Sequence, residues 1–254
     1  MKIEILISTL NDGIYNIREV DDRFDYIVVH QVFNSSSDYS NKVDSFPDNV
    51  KYVKLKSKGL SLSRNVALSY ASGDYLWIMD DDVEIYDSAY CNLLEYIVLY
   101  PDVDMFVLNH ASCYDSVKLG FKERFLHKYN SFSISSIDML IRRAAMESVV
   151  FNESFGLGTK LQSGEEYIFT CDLLKSGKKI FKTNTVFSYH PPITSGLDFY
   201  STPEKMRAKL LMFRVTSGYF LGTLLYFLFV TKKIVKIYKE KSVMNIIKAF
   251  NNIT

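Results

Sequence analysis

The run Tyr75-Leu76-Trp77-Ile78-Met79 is apolar without interruption and ends in three consecutive aspartates, Asp80, Asp81 and Asp82. Adjacent carboxylates repel, so a rigid strand end keeps them only when something offsets the charge, and hard oxygen ligands suit Mg2+ or Mn2+. A solvated acidic turn is the plainer alternative. The long apolar run weighs against it, because it reads as a central parallel strand. A second acidic pair, Glu165-Glu166, follows a stretch carrying Gly156, Gly158 and Gly164. Paired carboxylates suit deprotonation of a hydroxyl, since a like-charged neighbour raises the pKa of the working base. The alternative is that both complement the positive end of a helix.

Short apolar runs rich in β-branched and aromatic residues predict strands at Ile3 to Ile7, Tyr26 to Val32, Val50 to Leu55, Tyr75 to Met79 and Val103 to Leu108. Helix-like stretches lie between them: Leu60 to Ala71, with Leu62, Val66 and Tyr70 at fourfold spacing, and Ala89 to Leu99, with Leu93, Leu94, Ile97 and Val98 on one face. Alternating strands and helices predict βαβ units and a mostly parallel sheet, whose ligands sit at the carboxyl ends of the strands. After the second acidic pair, Ser176-Gly177-Lys178-Lys179-Ile180 predicts a helix end and a return strand running to His190. Residues 109–136, with Lys118, Lys122, Glu123, Arg124 and Lys128, break the alternation and read as an insertion or lid. From Pro203 the chain is helical, basic and apolar.

With 48% hydrophobic and 23% charged residues, the chain of 254 residues fits neither a disordered chain nor a polytopic membrane protein. The net charge of +1 gives no reason to expect nucleic acid as a partner. Cys91, Cys113 and Cys171 lack disulfide or zinc spacing and fit a reducing cytoplasm. The opening MKIEILISTLND turns polar too soon for a signal-peptide core, so a cytoplasmic, unexported protein is expected.

The stretch from Gly59 through Ser63-Arg64-Asn65-Val66 to Leu68, then Ala71-Ser72-Gly73-Asp74 and the strand into Asp80-Asp81-Asp82, resembles the family-2 glycosyltransferases of the GT-A fold. The resemblance continues at Phe151-Asn152-Glu153-Ser154-Phe155-Gly156-Leu157-Gly158 and Gly164-Glu165-Glu166, and covers roughly residues 1–195, with the insertion unmatched. It implies a single Rossmann-like α/β domain that transfers a sugar, with inversion, from a nucleotide-sugar to a hydroxyl. Asp80 and Asp82 then form the DxD pair, with Asp82 the leading metal ligand, Asp80 and His190 completing the shell, and Mn2+ or Mg2+ as cofactor. Arg64 faces the diphosphate, beside Asn65 and Asp81. Glu166 aligns with the catalytic base, and Glu165 shapes the acceptor pocket. One segment departs from the pattern: the second strand of the family ends in Asp-Asp-Gly-Ser, whereas this chain reads His30-Gln31-Val32-Phe33-Asn34-Ser35. Gln31 and Asn34, with Ser8, Thr9, Asn11 and Asp12, are the remaining candidates to hold a uracil, and a UDP-sugar is the leading donor.

Residues 1–200 are thus read as the transferase domain (1–108 the nucleotide-sugar half, 109–200 the acceptor half) and 201–254 as a membrane-associating tail. Its uncharged stretch, Val215 to Val230, has sixteen residues, short of the roughly 20 that span a bilayer. Flanking Arg207, Lys209, Arg214, Lys232, Lys233, Lys236 and Lys239 suit a helix lying on an anionic inner membrane face; a buried helix or dimer contact is the alternative. The acceptor is expected to be a glycan or lipid-linked precursor of a surface polysaccharide or glycolipid. Two other readings stay open. One is a sugar-phosphate nucleotidyltransferase, although no Gly-rich, Arg/Lys-bearing loop follows the first strand. The other is a silent nucleotide-sugar-binding subunit. The sugar, the acceptor and the oligomeric state are left open.

Overall fold

The structure, a computed structural model, describes residues 1–18, 20–113, 122–146, 149–191 and 198–251. Its elements in chain order are β1 (Ile3–Leu10), β2 (Asp25–Gln31), α1 (Ser40–Asp44), β3 (Val50–Leu55), α2 (Leu60–Tyr70), β4 (Tyr75–Asp80), β5 (Glu84–Ile85), α3 (Ala89–Leu99), β6 (Met105–Val107), β7 (His110–Ala111), β8 (Arg124–Phe125), β9 (Met139–Arg142), α4 (Glu165–Lys175), β10 (Ile180–Lys182), β11 (Ser188–Tyr189), α5 (Pro203–Ser217), α6 (Tyr219–Lys239) and α7 (Val243–Lys248).

The large sheet runs β3-β2-β1-β4-β9-β6-β10-β8. Strands β1 to β4 pair in parallel, as do β6 and β10, while β9 lies antiparallel to both β4 and β6. Alternate residues of the central strands feed two cores, as the strand period of two requires. Ile5, Ile7 and Trp77 join Leu93 and Ile97 of α3 on one face. Leu6, Leu76 and Ile78 join Ala67 of α2 and Phe169 of α4 on the other. Every residue of β4 from Tyr75 to Met79 is buried, which explains its unbroken apolar run. In the parallel register Ser8 stands opposite Asp80, so β1 and β4 deliver their carboxyl ends to the same edge.

Several expectations need correction. The return strand splits in two: β10 joins the large sheet, and β11 forms a small sheet with β5 and β7. Residues 109–136 are not a free lid where described, because β7 and β8 are tied into the two sheets; Lys118 lies outside the described residues. Helix α2 buries Ser61, Ser63, Arg64 and Ala67 instead of the Leu62-Val66-Tyr70 stripe, and Tyr70 is exposed. In α3 Tyr96 takes the buried place expected of Val98. Strand β9, unforeseen, is inserted between β4 and β6.

The tail is not one apolar helix. Gly218, at φ 79°, separates α5 from α6. Met206, Leu210, Met212 and Phe213 of α5 share a core with Tyr226, Val230 and Ile237 of α6 and with Tyr167, Ile168 and Cys171 of α4. Arg207 donates to the carbonyls of Ala249 and Asn251, and Arg214 to Thr223 Oγ1, so two cations assigned to the membrane serve packing. Among the described residues no helix is long and apolar enough to cross a membrane.

Candidate active site

Helix α2 carries Arg64 into the middle of the molecule. The side chain is 2% exposed, and its guanidinium donates to Ser136 Oγ at 2.7 Å, Glu165 Oε1 at 3.3 Å and Asp80 Oδ1 at 3.4 Å, with Glu166 Oε1 at 3.8 Å. Burial alone lowers an arginine pKa; the surrounding carboxylates outweigh it and raise that of Arg64. Where the sequence suggested a cation facing a diphosphate, the structure places a bridge between the acidic turn and the glutamate pair. The local sequence permits this, since Ser61 and Ser63 are small enough for α2 to press on its neighbours: Ser61 donates to the Phe155 carbonyl at 2.6 Å and Ser63 to Ser8 Oγ at 2.9 Å. Gly156, at φ 104°, is required in this contact, because a Cβ there would stand 2.8 Å from Ser61 Oγ and 3.3 Å from the Glu165 carboxyl.

The glutamates begin α4 and differ in environment. The Glu165 side chain is 4% exposed and that of Glu166 is 24% exposed. Burial first, then the charge of Glu166, push the Glu165 carboxyl well above the ordinary carboxylate range, against the pull of Arg64. Oxygen Oε2 of Glu165 is buried without a hydrogen-bond partner. The buried member of the pair therefore carries a raised pKa.

The acidic turn also divides. Asp80 faces Arg64. Asp81 turns back to β1, accepting from Thr9 Oγ1 at 2.5 Å and from Asn16 at 3.3 Å, and its burial raises its pKa. Asp82 pairs with His190 Nε2 at 3.3 Å, a contact that lowers the aspartate pKa and raises that of the histidine. The small sheet makes this contact, since the antiparallel match of Tyr189 with Glu84 leaves His190 beside the turn before β5. It also brings in His110, which the sequence gave no reason to choose. The ring of His110 is 5.9 Å from that of His190, and its Nδ1 is 3.0 Å from Asp138 Oδ1.

Some nucleotide candidates are framework groups. Ser8, Thr9 and Gln31 are all under 7% exposed, and Gln31 accepts from the Gly59 N–H at 2.7 Å, fixing the start of α2. Asn65 exchanges two hydrogen bonds with the Phe151 backbone, at 2.8 and 2.9 Å, and donates to Glu153, which locks α2 to the loop before α4. A ligand would have to break these bonds to use the same groups. Asn11 similarly exchanges two bonds with the Phe33 backbone, while Asp12 is exposed and accepts from Tyr39 at 2.9 Å. Asn34 is exposed, at φ 51°. His30, which stands where the departure from Asp-Asp-Gly-Ser falls, is fully buried: its Nε2 donates to the Asn11 carbonyl at 2.8 Å, and its ring packs edge-on to Tyr39.

A cavity of about 580 Å3 gathers Arg64, Asp80, Glu165, Glu166, His110 and His190 on its polar side and Phe132, Tyr167, Phe199, Phe213 and Phe229 on its apolar side. Among the described residues no group of three His, Cys, Asp or Glu side chains is set to hold a metal ion. The paired Asp82 carboxylate and His190 imidazole provide two donors, of types that a divalent ion with further water and phosphate ligands accepts.

The sheet order, with the acidic turn and glutamate pair meeting beyond the carboxyl ends of β1 and β4, defines a GT-A fold. The glycosyl transferase family 2 model matches residues 10–149, more than half of the chain, and the protein belongs to that family. The match stops short of Glu165 and Glu166, which rest on the structure and the sequence motif. S. aureus TarS 1–349 with UDP-GlcNAc is similar at a TM-score of 0.65 and 17% identity, over 98% of this chain and 79% of that one. Mannosyltransferase PcManGT from Pyrobaculum calidifontis, with GDP-Man and Mn2+, is similar at 0.59 and 13% identity, over 98% and 85% respectively. No curated protein sequence matches the chain.

Replacing Arg64 by Met leaves three carboxylates, from β4 and α4, facing each other without their cation. Loss of one member of a buried ion pair costs about 3–5 kcal/mol. Denaturant unfolding at pH 7 should show a loss of that order, partly recovered at pH 5, where protonation of the pair relieves the repulsion. An unchanged midpoint at pH 7 would show that Arg64 does not hold the site together.

Proposed function

We propose that the protein transfers a sugar with inversion from a nucleotide-sugar, UDP-sugars first among the donors, to a hydroxyl of a glycan or lipid-linked acceptor in surface polysaccharide or glycolipid assembly. The carrying observation is the convergence of the acidic turn and the glutamate pair on one cavity. Family membership supports sugar transfer, and two fold neighbours were solved with nucleotide-sugars.

The acceptor hydroxyl attacks the anomeric carbon from the side opposite the leaving group. Its oxygen forms the new bond, the bond to the diphosphate oxygen breaks, and the hydroxyl proton passes to Glu166. Partial exposure suits Glu166 to receive that hydroxyl, while Glu165 is buried behind it. Asp82 and His190, with Asp80 beside them, would hold a divalent ion, which supplies charge neutralisation for the departing diphosphate. Asp12, just past the end of β1, and Asn34, both exposed, remain to meet the nucleotide. Residues 1–200 form the transferase unit in this reading, with 109–200 supplying the acceptor side.

Residues 201–254 attach the enzyme peripherally to the inner membrane face. Phe220, Val235, Tyr238 and Ile247 are 87%, 67%, 74% and 64% exposed, among Lys232, Lys239 and Lys248. Such a face suits insertion among anionic lipid headgroups.

Donor binding should depend on the ion. Calorimetric titration of UDP-sugars with Mn2+ should give tight binding that EDTA or Asp82→Asn weakens severely; equal affinity in EDTA sinks the metal reading. Glu166→Gln should lower transfer by about 10²–10⁴-fold or more while donor affinity holds, because the amide cannot take the proton. Glu165→Gln, whose amide imitates the protonated acid favoured by burial, should keep turnover within about tenfold of the parent. Reversed results in initial-rate measurements would move the base to Glu165. Replacing Phe220, Leu224, Leu228 and Val235 by Ser should abolish flotation with anionic vesicles, and unaltered flotation would make this face a protein contact.

A further inference from the structure

Helix α5 lies outside the matched family region, yet it meets the start of α4 at close range. Gly164, the residue before Glu165, has φ 111°, and a Cβ there would stand 3.0 Å from Met212 Cγ and Sδ. The positive φ favours glycine there, and the close contact sets α5 against the start of α4. Lys209 is three residues before Met212, so it projects from the same helix face, one turn along. It lines the same cavity as Glu165 and Glu166, and each glutamate interacts electrostatically with it.

We propose that Lys209 is a positioning residue of the active site: α5 delivers with it a second cation, beside Arg64, that favours the ionised form of Glu166 for its work as base. The inference rests on the reading of Glu166 as that base. Around the pair stand Arg64 from α2 and Asp80 from β4, while His110, His190, Tyr167 and Lys233 line the rest of the cavity. With Asp80 and Glu166 ionised and Glu165 held protonated by its burial, Arg64 offsets one carboxylate and Lys209 the other. Burial lowers the pKa of Lys209, against the pull of Glu166 and Glu165. An ammonium in that place therefore depends on the glutamates, as they depend on it. The tail thereby completes the catalytic centre besides covering the apolar side of α4.

The test needs no acceptor. In the full chain carrying 13C-labelled glutamate, the carboxyl carbons of Glu165 and Glu166, assigned through E165Q and E166Q, are titrated by NMR in the parent, K209M and K209R. Removing a neighbouring cation disfavours the carboxylate form, so both apparent pKa values of the coupled pair should rise by about one unit or more in K209M. K209R keeps the charge and should restore the parental titration. A purely structural lysine would leave the titration in K209M where the parent has it, and that result overturns the proposal, as does failure of K209R to restore it. K209Q is titrated in the same way should K209M fail to fold. Full transfer activity in E166Q would overturn the base assignment separately, whatever the titration shows.

Discussion

A guanidinium withdrawn from water costs several kcal/mol unless its charge and its donors are matched, and Arg64 is matched almost wholly by groups remote in the chain. Its partners are Ser136, Glu165 and Asp80, separated from it by 72, 101 and 16 residues. Strand β4, helix α4 and the segment before β9 must therefore all be in place before α2 can bury its cation. The same requirement keeps the acidic turn and the glutamate pair at a fixed separation, which a transferase needs if donor and acceptor are to meet in line. Small side chains carry the consequence outward: Ser61 and Gly156 leave room for α2 beside Glu165, and Asn65 fastens the loop between them.

The second constraint is the small sheet. Two short strands on either side of β11 hold no core of their own, yet they bring His190 and His110 to one rim of the cavity, with Asp82 paired to His190. The opposite wall is aromatic, with Phe132 stacked on Tyr167 at 4.9 Å and Phe213 edge-on to both. The apolar side is built partly from the C-terminal helices, so α5 and α6 line this cavity as well as packing against α4.

Features encoded in a local pattern could be read from the chain directly. The unbroken apolar run of β4 could only be a buried strand, and three aspartates at its end had to lie at the sheet's carboxyl edge. The Arg-Asn helix, the acidic turn and the glutamate pair were legible as a family order, and with them the GT-A fold. Local pattern failed where burial was decided by partners from elsewhere. Helix α2 hides serines and an arginine because carboxylates and a strand end await them, against its own hydrophobic stripe. Strand β9 was invisible because an antiparallel strand inserted between parallel ones carries no signal of its place. His110 had no sequence context, since its partners Asp138 and His190 come from distant segments, before β9 and after β11. Ser8, Thr9, Gln31 and Asn65 looked like free polar ligands, and only the tertiary structure showed their hydrogen bonds already committed. Lys209 looked like one more basic residue in an amphipathic tail. Charge acts through space over a few ångströms, whereas sequence patterns report only neighbours along the chain, so the tertiary structure alone set that lysine beside the two glutamates.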